Sequence, residues 1–203
     1  HVDYIPNEIW TWGEYFTAGI EHAGGQVIRV VGSTGEFDEV RNKKIPRKNH
    51  QVVFISQPLV GIDILRAAFA FAEAKPKLNV IIKLHPRNDL DEFNREINSR
   101  GGLPDNCVMI QNERSSLEVI AESAVAVGAF STALIEAAGL GTKVALLKVP
   151  GWDHLKPLVD GGHAALFASA EELVTGYESI PQPADPYFFY GHKADLESLL
   201  KTP

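Results

Sequence analysis

Ala124-Val-Ala-Val-Gly128-Ala-Phe-Ser131-Thr132-Ala-Leu-Ile-Glu136-Ala-Ala-Gly139-Leu-Gly141-Thr-Lys143-Val-Ala-Leu-Leu147 holds strand, turn, helix and strand in unbroken succession. Ala124–Gly128 is small and apolar on both faces, the signature of a central strand in a parallel sheet. Gly128-Ala129-Phe130 makes the turn, and Ser131 or Thr132 falls where a helix N-cap belongs. Ala133–Leu140 favours helix, Gly139 and Gly141 end it, and Lys143–Val149 starts the next strand. A helix N-terminus at the carboxyl edge of such a sheet offers hydroxyls and free N–H groups to an anion. One turn on, Glu136 is in reach of a sugar hydroxyl beside that anion.

The same alternation extends outward on both sides. Strands are expected at Gln26–Val31, Gln51–Ser56, Asn79–Leu84, Cys107–Gln111 and Ala164–Phe167. Helices are expected at Ile9–Ala23, Gly61–Ala74, Leu90–Ser99, Ser116–Ser123 (with Ser115 as its cap), His154–Asp160, Ser169–Gly176 and Ala194–Leu200. Ser169 with Glu172 matches a capping box. Glu36–Asn49, polar and basic, is expected as an exposed connection or hinge. The fold class that follows is α/β, a doubly wound, mostly parallel, Rossmann-like sheet. Residues 1–24 are expected to form an N-terminal segment left from, or crossing to, a missing domain. Residues 25–180 form the nucleotide-binding domain and 181–203 a tail with a last helix. His1 in place of a methionine adds to the expectation that the chain is a piece of a larger protein.

Bulk properties narrow the function. A net charge of −7, from 19 basic and 26 acidic residues, argues against a nucleic-acid partner, which needs a basic face. The one cysteine, Cys107, supports neither a disulfide nor a thiolate cluster. The histidines show no metal-ligand spacing, so no metal site is expected. Gly-x-Ser-x-Gly, Gly-x-x-x-x-Gly-Lys-Ser/Thr and an early Gly-x-Gly-x-x-Gly are missing from the sequence, which weighs against a serine hydrolase, a P-loop enzyme and a dinucleotide enzyme.

His85-Pro86 ends the strand Asn79–Leu84 on the ligand-binding edge; the imidazole can donate to a phosphate oxygen and Pro86 fixes the turn. The plain alternative is a histidine capping a loop. For Ser131, Thr132 and Glu136 it is an ordinary cap and a solvated glutamate. Weaker candidates on the same edge are Gln57, Gly32-Ser33, Asn112 and Glu113 near a base, and Trp152-Asp153-His154 as a flap.

Lys83-Leu84-His85-Pro86, Ala129-Phe130-Ser131-Thr132-Ala133-Leu134-Ile135-Glu136-Ala137 and Leu140–Leu147 resemble the nucleotide-sugar-binding C-terminal half of GT-B glycosyltransferases of bacterial surface polysaccharides. The resembling group has a His-Pro motif and a downstream Ser-Ser or Ser-Thr motif. It includes sialyl- and polysialyltransferases, Kdo transferases and teichoic-acid glycerophosphotransferases. The resemblance covers roughly residues 25–175 and implies that His85 contacts the donor phosphate, as a catalytic group, with Ser131 and Thr132, and that Glu136 holds ribose. Thr132 stands where many relatives have a second serine. The implied reaction is inverting transfer to a glycan acceptor without a required metal, the catalytic base lying in an N-terminal domain that the chain lacks. The implied donor is a nucleotide sugar, CMP-linked Kdo or sialic acid first, with CDP-glycerol and UDP-sugars open. The implied location is the cytoplasm, at the inner membrane. UDP-sugar 2-epimerases have a similar arrangement but rank lower. From another class, a non-catalytic nucleotide-binding scaffold would use Trp152, Phe188 and Phe189 at an exposed interface.

Overall fold

A computed structural model describes residues 7–18, 20, 27–33 and 35–194. In chain order the elements are β1 (Glu8–Thr11), β2 (Val27–Val30), α1 (Glu36–Asn42), β3 (Lys48–Ile55), α2 (Gly61–Ala74) and β4 (Asn79–Lys83). Then follow α3 (Leu90–Ser99), β5 (Cys107–Ile110), α4 (Ser116–Glu122), β6 (Ser123–Gly128), α5 (Thr132–Gly139) and β7 (Lys143–Leu147). A 3₁₀ turn at Trp152–Leu155 leads to α6 (Lys156–Asp160), β8 (Ala164–Phe167), α7 (Ala170–Gly176) and, after a second such turn, α8 (Pro186–Phe189).

The expected doubly wound sheet is present. Six strands lie in the order β5-β4-β3-β6-β7-β8, every pair parallel. The order reverses between β3 and β6, so the crevice outside their carboxyl ends is the topological switch point. Strand alternation builds a core on each face. Val52, Phe54, Val125, Val127, Ala145 and Leu147 point towards α2 and α7. Val53, Ile55, Ala126, Val144 and Leu146 point towards α4, α5 and α8. The sequence pattern there is near-continuously apolar because both faces are covered.

Two expectations fail. The stretch Ile9–Ala23 is not a helix where it is described: Glu8–Thr11 is a strand, and only Glu14–Phe16 winds, as a 3₁₀ turn. Aromatic and β-branched residues favour strand, and Gly13 interrupts any helix. Its backbone faces another chain segment, because a Cβ there would lie 2.2 Å from the Phe189 carbonyl oxygen. β1 pairs in parallel with β2 as a separate two-stranded sheet, tied across by Glu8 and Arg29. Residues 21–23, and the expected last helix beyond Ala194, lie outside the described residues.

The second failure is the connection at 36–49. It contains α1 and the start of β3. Phe37 and Val40, one turn apart, are both buried, and the charges around them are paired: Arg41 with Asp38 at 2.8 Å, Lys43 with Glu118, Lys48 with Glu122. A polar helix can therefore dock by a narrow stripe.

Of the aromatic residues at 187–190, Tyr187 is exposed and the other three pack inward. Phe189 and Tyr190 are buried, Phe188 half-buried. Gly191 N–H donates to Trp12 O at 2.8 Å and Ala194 N–H to Val31 O at 2.9 Å, while Arg41 donates to Tyr190 O at 2.6 Å. The segment after α8 thus returns across β1 and β2.

Arg47 caps the other end of the organising helix. It donates to Leu140 O at 2.9 Å, to Gly141 O and to Thr142 Oγ1 at 3.3 Å, where the α5 macrodipole is negative. Arg47→Ala is expected to lower stability by about 1–2 kcal/mol, read as a shift in the denaturant midpoint; an unchanged midpoint would refute the capping role.

Candidate functional site

The carboxyl ends of β3, β4, β5 and β6 carry Gln57, His85, Asn112 and Ser131 in turn. Leu84 is buried and hands the chain to His85, which is half-buried. The turn that follows is held from three sides. His85 N–H donates to Asn88 Oδ1 at 2.8 Å, and Asn88 N–H returns to His85 O at 2.9 Å. Ser56 Oγ, at the end of β3, donates to the same Asn88 oxygen at 3.0 Å. From the β5 side, Gln111 Nε2 reaches His85 O at 3.1 Å and Asn88 O at 3.2 Å. Pro86 is exposed on the outside of this turn.

The imidazole has a defined tautomer. Arg87 N–H donates to His85 Nδ1 at 3.0 Å, so the neutral ring carries its proton on Nε2. Burial first, then the charges of Arg87 and Lys83, push its pKa below the ordinary histidine value. His85, half-buried beyond the carboxyl end of β4, is therefore a neutral N–H donor.

Lys83, last residue of β4, is buried and its ammonium donates to Gln111 O. Burial lowers its pKa and Glu113 opposes that. Glu113 is itself engaged, its carboxylate accepting the Gln111 N–H at 2.5 Å. Gln111 thus joins Lys83, Glu113 and the His85 turn. Gln111→Leu keeps the volume and removes the donor, so the turn carbonyls lose their partner at a cost of about 1–2 kcal/mol. Loosening of the His85 backbone should show as faster amide exchange at residues 85–88; unaltered protection would count against this role.

α5 starts at an occupied cap. Ser131 Oγ accepts from Ala133 N–H at 3.3 Å, and Thr132, the first helical residue, is exposed. Ser131, not Thr132, is the N-cap. Ser115 holds the N-cap position of α4 but makes no side-chain cap bond; its hydroxyl donates to Glu36. Gln57 Oε1 is buried with no hydrogen-bond partner among the described residues, an unsatisfied acceptor at the switch point.

Two clefts that share Glu136 meet this edge, beside a larger one of about 510 Å³ lined by Leu84, Gln111, Asn112 and Glu113, among others. One, of about 380 Å³, is lined by Lys83, Gln111, Asn112, Arg114, Ser115 and Glu136, among others. The second, of about 250 Å³, is lined by Trp12, Ser33, Phe37, Thr132, Glu136 and Tyr190. The structure thus brings Asn112 and Glu136 to one cleft and Thr132 and Glu136 to the other. Gln57, His85, Pro86 and Ser131 line neither. His85 and Ser131 stand on strands separated by β3, roughly 10 Å apart at the usual strand spacing. Glu136 is half-buried, and burial, then Glu36, raise its pKa.

Sequence reasoning missed Asn88, Gln111, Lys83 and Trp12. A lysine closing the apolar run Asn79-Val-Ile-Ile-Lys83, and an asparagine three residues after His85, were the available signals. Nothing local marks Gln111 or Trp12. Among the described residues no group of three His, Cys, Asp or Glu is arranged to hold a metal ion.

The sequence matches no protein-family model, and no curated protein matches it. Solved structures do resemble it. One is the UDP-GlcNAc 2-epimerase of Methanocaldococcus jannaschii, solved with UDP-GlcNAc and UDP: TM-score 0.63, 16% identity, 98% of this chain and 61% of that one. Another is the glycotransferase of kitacinnamycin: TM-score 0.64, 14% identity, 97% and 54%. A third is AviGT4, a glycosyltransferase involved in avilamycin A biosynthesis: TM-score 0.53, 16% identity, 95% and 61%. The likeness establishes the fold, a Rossmann-like parallel α/β sheet. The chain spans 54% to 61% of the length of these three proteins.

Proposed function

We propose that this chain is the donor-binding part of a nucleotide-sugar-dependent glycosyltransferase of bacterial surface-polysaccharide assembly. It would work in the cytoplasm together with an N-terminal domain and a glycan acceptor. The observation that carries this reading is the placement of His85, Gln57, Asn112 and the N-terminus of α5 along the carboxyl edge of one parallel sheet, on either side of its switch point. The neutral Nε2–H of His85 and the first-turn N–H groups of α5 are suited to a phosphate that gains charge as the sugar leaves. Glu136 would accept ribose hydroxyls, with the base in the cleft beside Asn112. CMP, CDP and UDP are the candidate nucleotides. The resemblance around His85-Pro86 favours CMP, whereas one protein of similar fold was solved with UDP.

Calorimetric titration of the chain with CMP, CDP and UDP tests the reading. Binding of one of them, weakened in His85→Ala, supports it; a folded chain that binds none of the three rejects it.

A further inference from the structure

The smaller cleft has a chemistry of its own. Trp12 forms one wall with 53% of its surface exposed, yet its ring is held in place. Phe16 meets it edge-on at 5.4 Å between centroids and 84°, and Tyr190 stacks with it at 6.2 Å and 23°. Tyr190 in turn lies on Phe37 at 4.2 Å. Gly139 makes room for Tyr190, since a Cβ there would lie 2.6 Å from its ring. The rest of the lining is two hydroxyls, Ser33 and Thr132, and the carboxyl of Glu136.

Lysine, arginine and histidine do not line this cleft among the described residues. Arg41 comes as near as the Ser33 hydroxyl, but its guanidinium is committed to Asp38, Ser33 and the carbonyls of Tyr190 and Gly191. Glu136 is common to both clefts, so a ligand in one continues naturally into the other.

We propose that this cleft takes an uncharged sugar ring, stacked on Trp12, with Glu136 accepting hydroxyls at its junction with the nucleotide cleft. The proposal rests on the nucleotide-sugar reading above and adds the class of sugar. The negative face of an aromatic ring attracts the polarised C–H groups on the flat side of a pyranose. A carboxylate accepts hydroxyl donors well, and an acidic sugar would put a second carboxylate beside Glu136 with no cation between them. Kdo and sialic acid, both carboxylates, are therefore disfavoured here.

The test compares UDP with UDP-N-acetylglucosamine, and CMP with CMP-N-acetylneuraminic acid, by calorimetry on the chain and on Trp12→Ala and Trp12→Phe. The uncharged sugar should tighten binding about 5- to 10-fold over its free nucleotide. Trp12→Ala should erase that gain and leave the affinity for free nucleotide unchanged, while Trp12→Phe should retain most of it. The acidic sugar should add no affinity over CMP. Should free nucleotide bind but the uncharged sugar add nothing, or its gain survive Trp12→Ala with the fold intact, the sugar assignment is overturned and the nucleotide site stands. A gain from the acidic sugar overturns it equally. Failure of every nucleotide to bind removes the underlying reading, and this proposal with it.

Discussion

His85→Ala is expected to weaken nucleotide binding about 10- to 100-fold, the loss that follows from removing one hydrogen bond to a charged phosphate in a half-buried site. The fold should survive, because the ring is not part of either core and its Nδ1 serves only the Arg87 N–H. His85→Gln retains an N–H donor and should restore part of the affinity. The pH dependence distinguishes a phosphate contact from mere packing. In the free chain the imidazole pKa is pushed down, by burial first and then by Arg87 and Lys83. A bound phosphate favours the imidazolium and raises that pKa, so binding takes up a proton. Affinity should therefore rise as pH falls from the bound-state pKa to the free-state pKa, and level off outside that window. The phosphate itself also titrates near pH 6, so the measured quantity is the difference between the wild-type and His85→Ala profiles. Parallel profiles would mean that His85 does not face the phosphate.

The extent to which this site was legible follows from where its information lies. β3 to β8 were visible because a strand covered on both faces is written as an apolar run, and the starts of α5 and α7 because Ser131 and Ser169 mark them with local side-chain caps. Strand ends followed directly, and with them His85, Asn112 and Ser131 as edge residues. Which strands are neighbours is not a local property. Gln111 supports His85 only because β5 lies beside β4, and the chain between these two residues, 26 positions apart, carries no sign of it. The misreading at 9–23 has the same root. Trp10, Tyr15, Phe16 and Ile20 happen to fall near helical spacing, but Tyr15 and Phe16 pack against rings from the tail, Phe188, Phe189 and Tyr190, far away in the chain. At 36–49 the reverse occurred: two apolar residues, Phe37 and Val40, sufficed to dock a helix in which Asp38 pairs with Arg41 and whose C-cap Lys43 pairs with Glu118 of α4.

That dependence on the tail makes Gly32 a position with a large expected effect on stability. Gly32 sits at φ +74°, and a Cβ there would lie 2.2 Å from the His192 carbonyl oxygen and 2.7 Å from that of Gly191. Both obstacles are backbone, so no side-chain rotation relieves them. Gly32→Ala thus adds left-handed strain of about 1–2 kcal/mol to the displacement of the returning segment. The displaced segment gives up the bonds from Gly191 N–H to Trp12 O, from Ala194 N–H to Val31 O and from Arg41 to Tyr190 O, each worth about 1 kcal/mol. The expected total is about 4–5 kcal/mol, or a melting temperature lowered by roughly 8–20 °C for a chain of this size. Gly35→Ala separates the two causes. Gly35 has nearly the same φ, +70°, with ψ −142°, a conformation L residues avoid, and nothing lies within 4 Å of its added Cβ, so that variant should show backbone strain of about 1–3 kcal/mol without a collision. A Gly32→Ala loss confined to that range would show that the segment moves aside at no cost. If it detaches, Tyr190 leaves the stack with Trp12, and the preference for a sugar-bearing nucleotide should fall while the affinity for free nucleotide, held on the far side of Glu136, stays as it was.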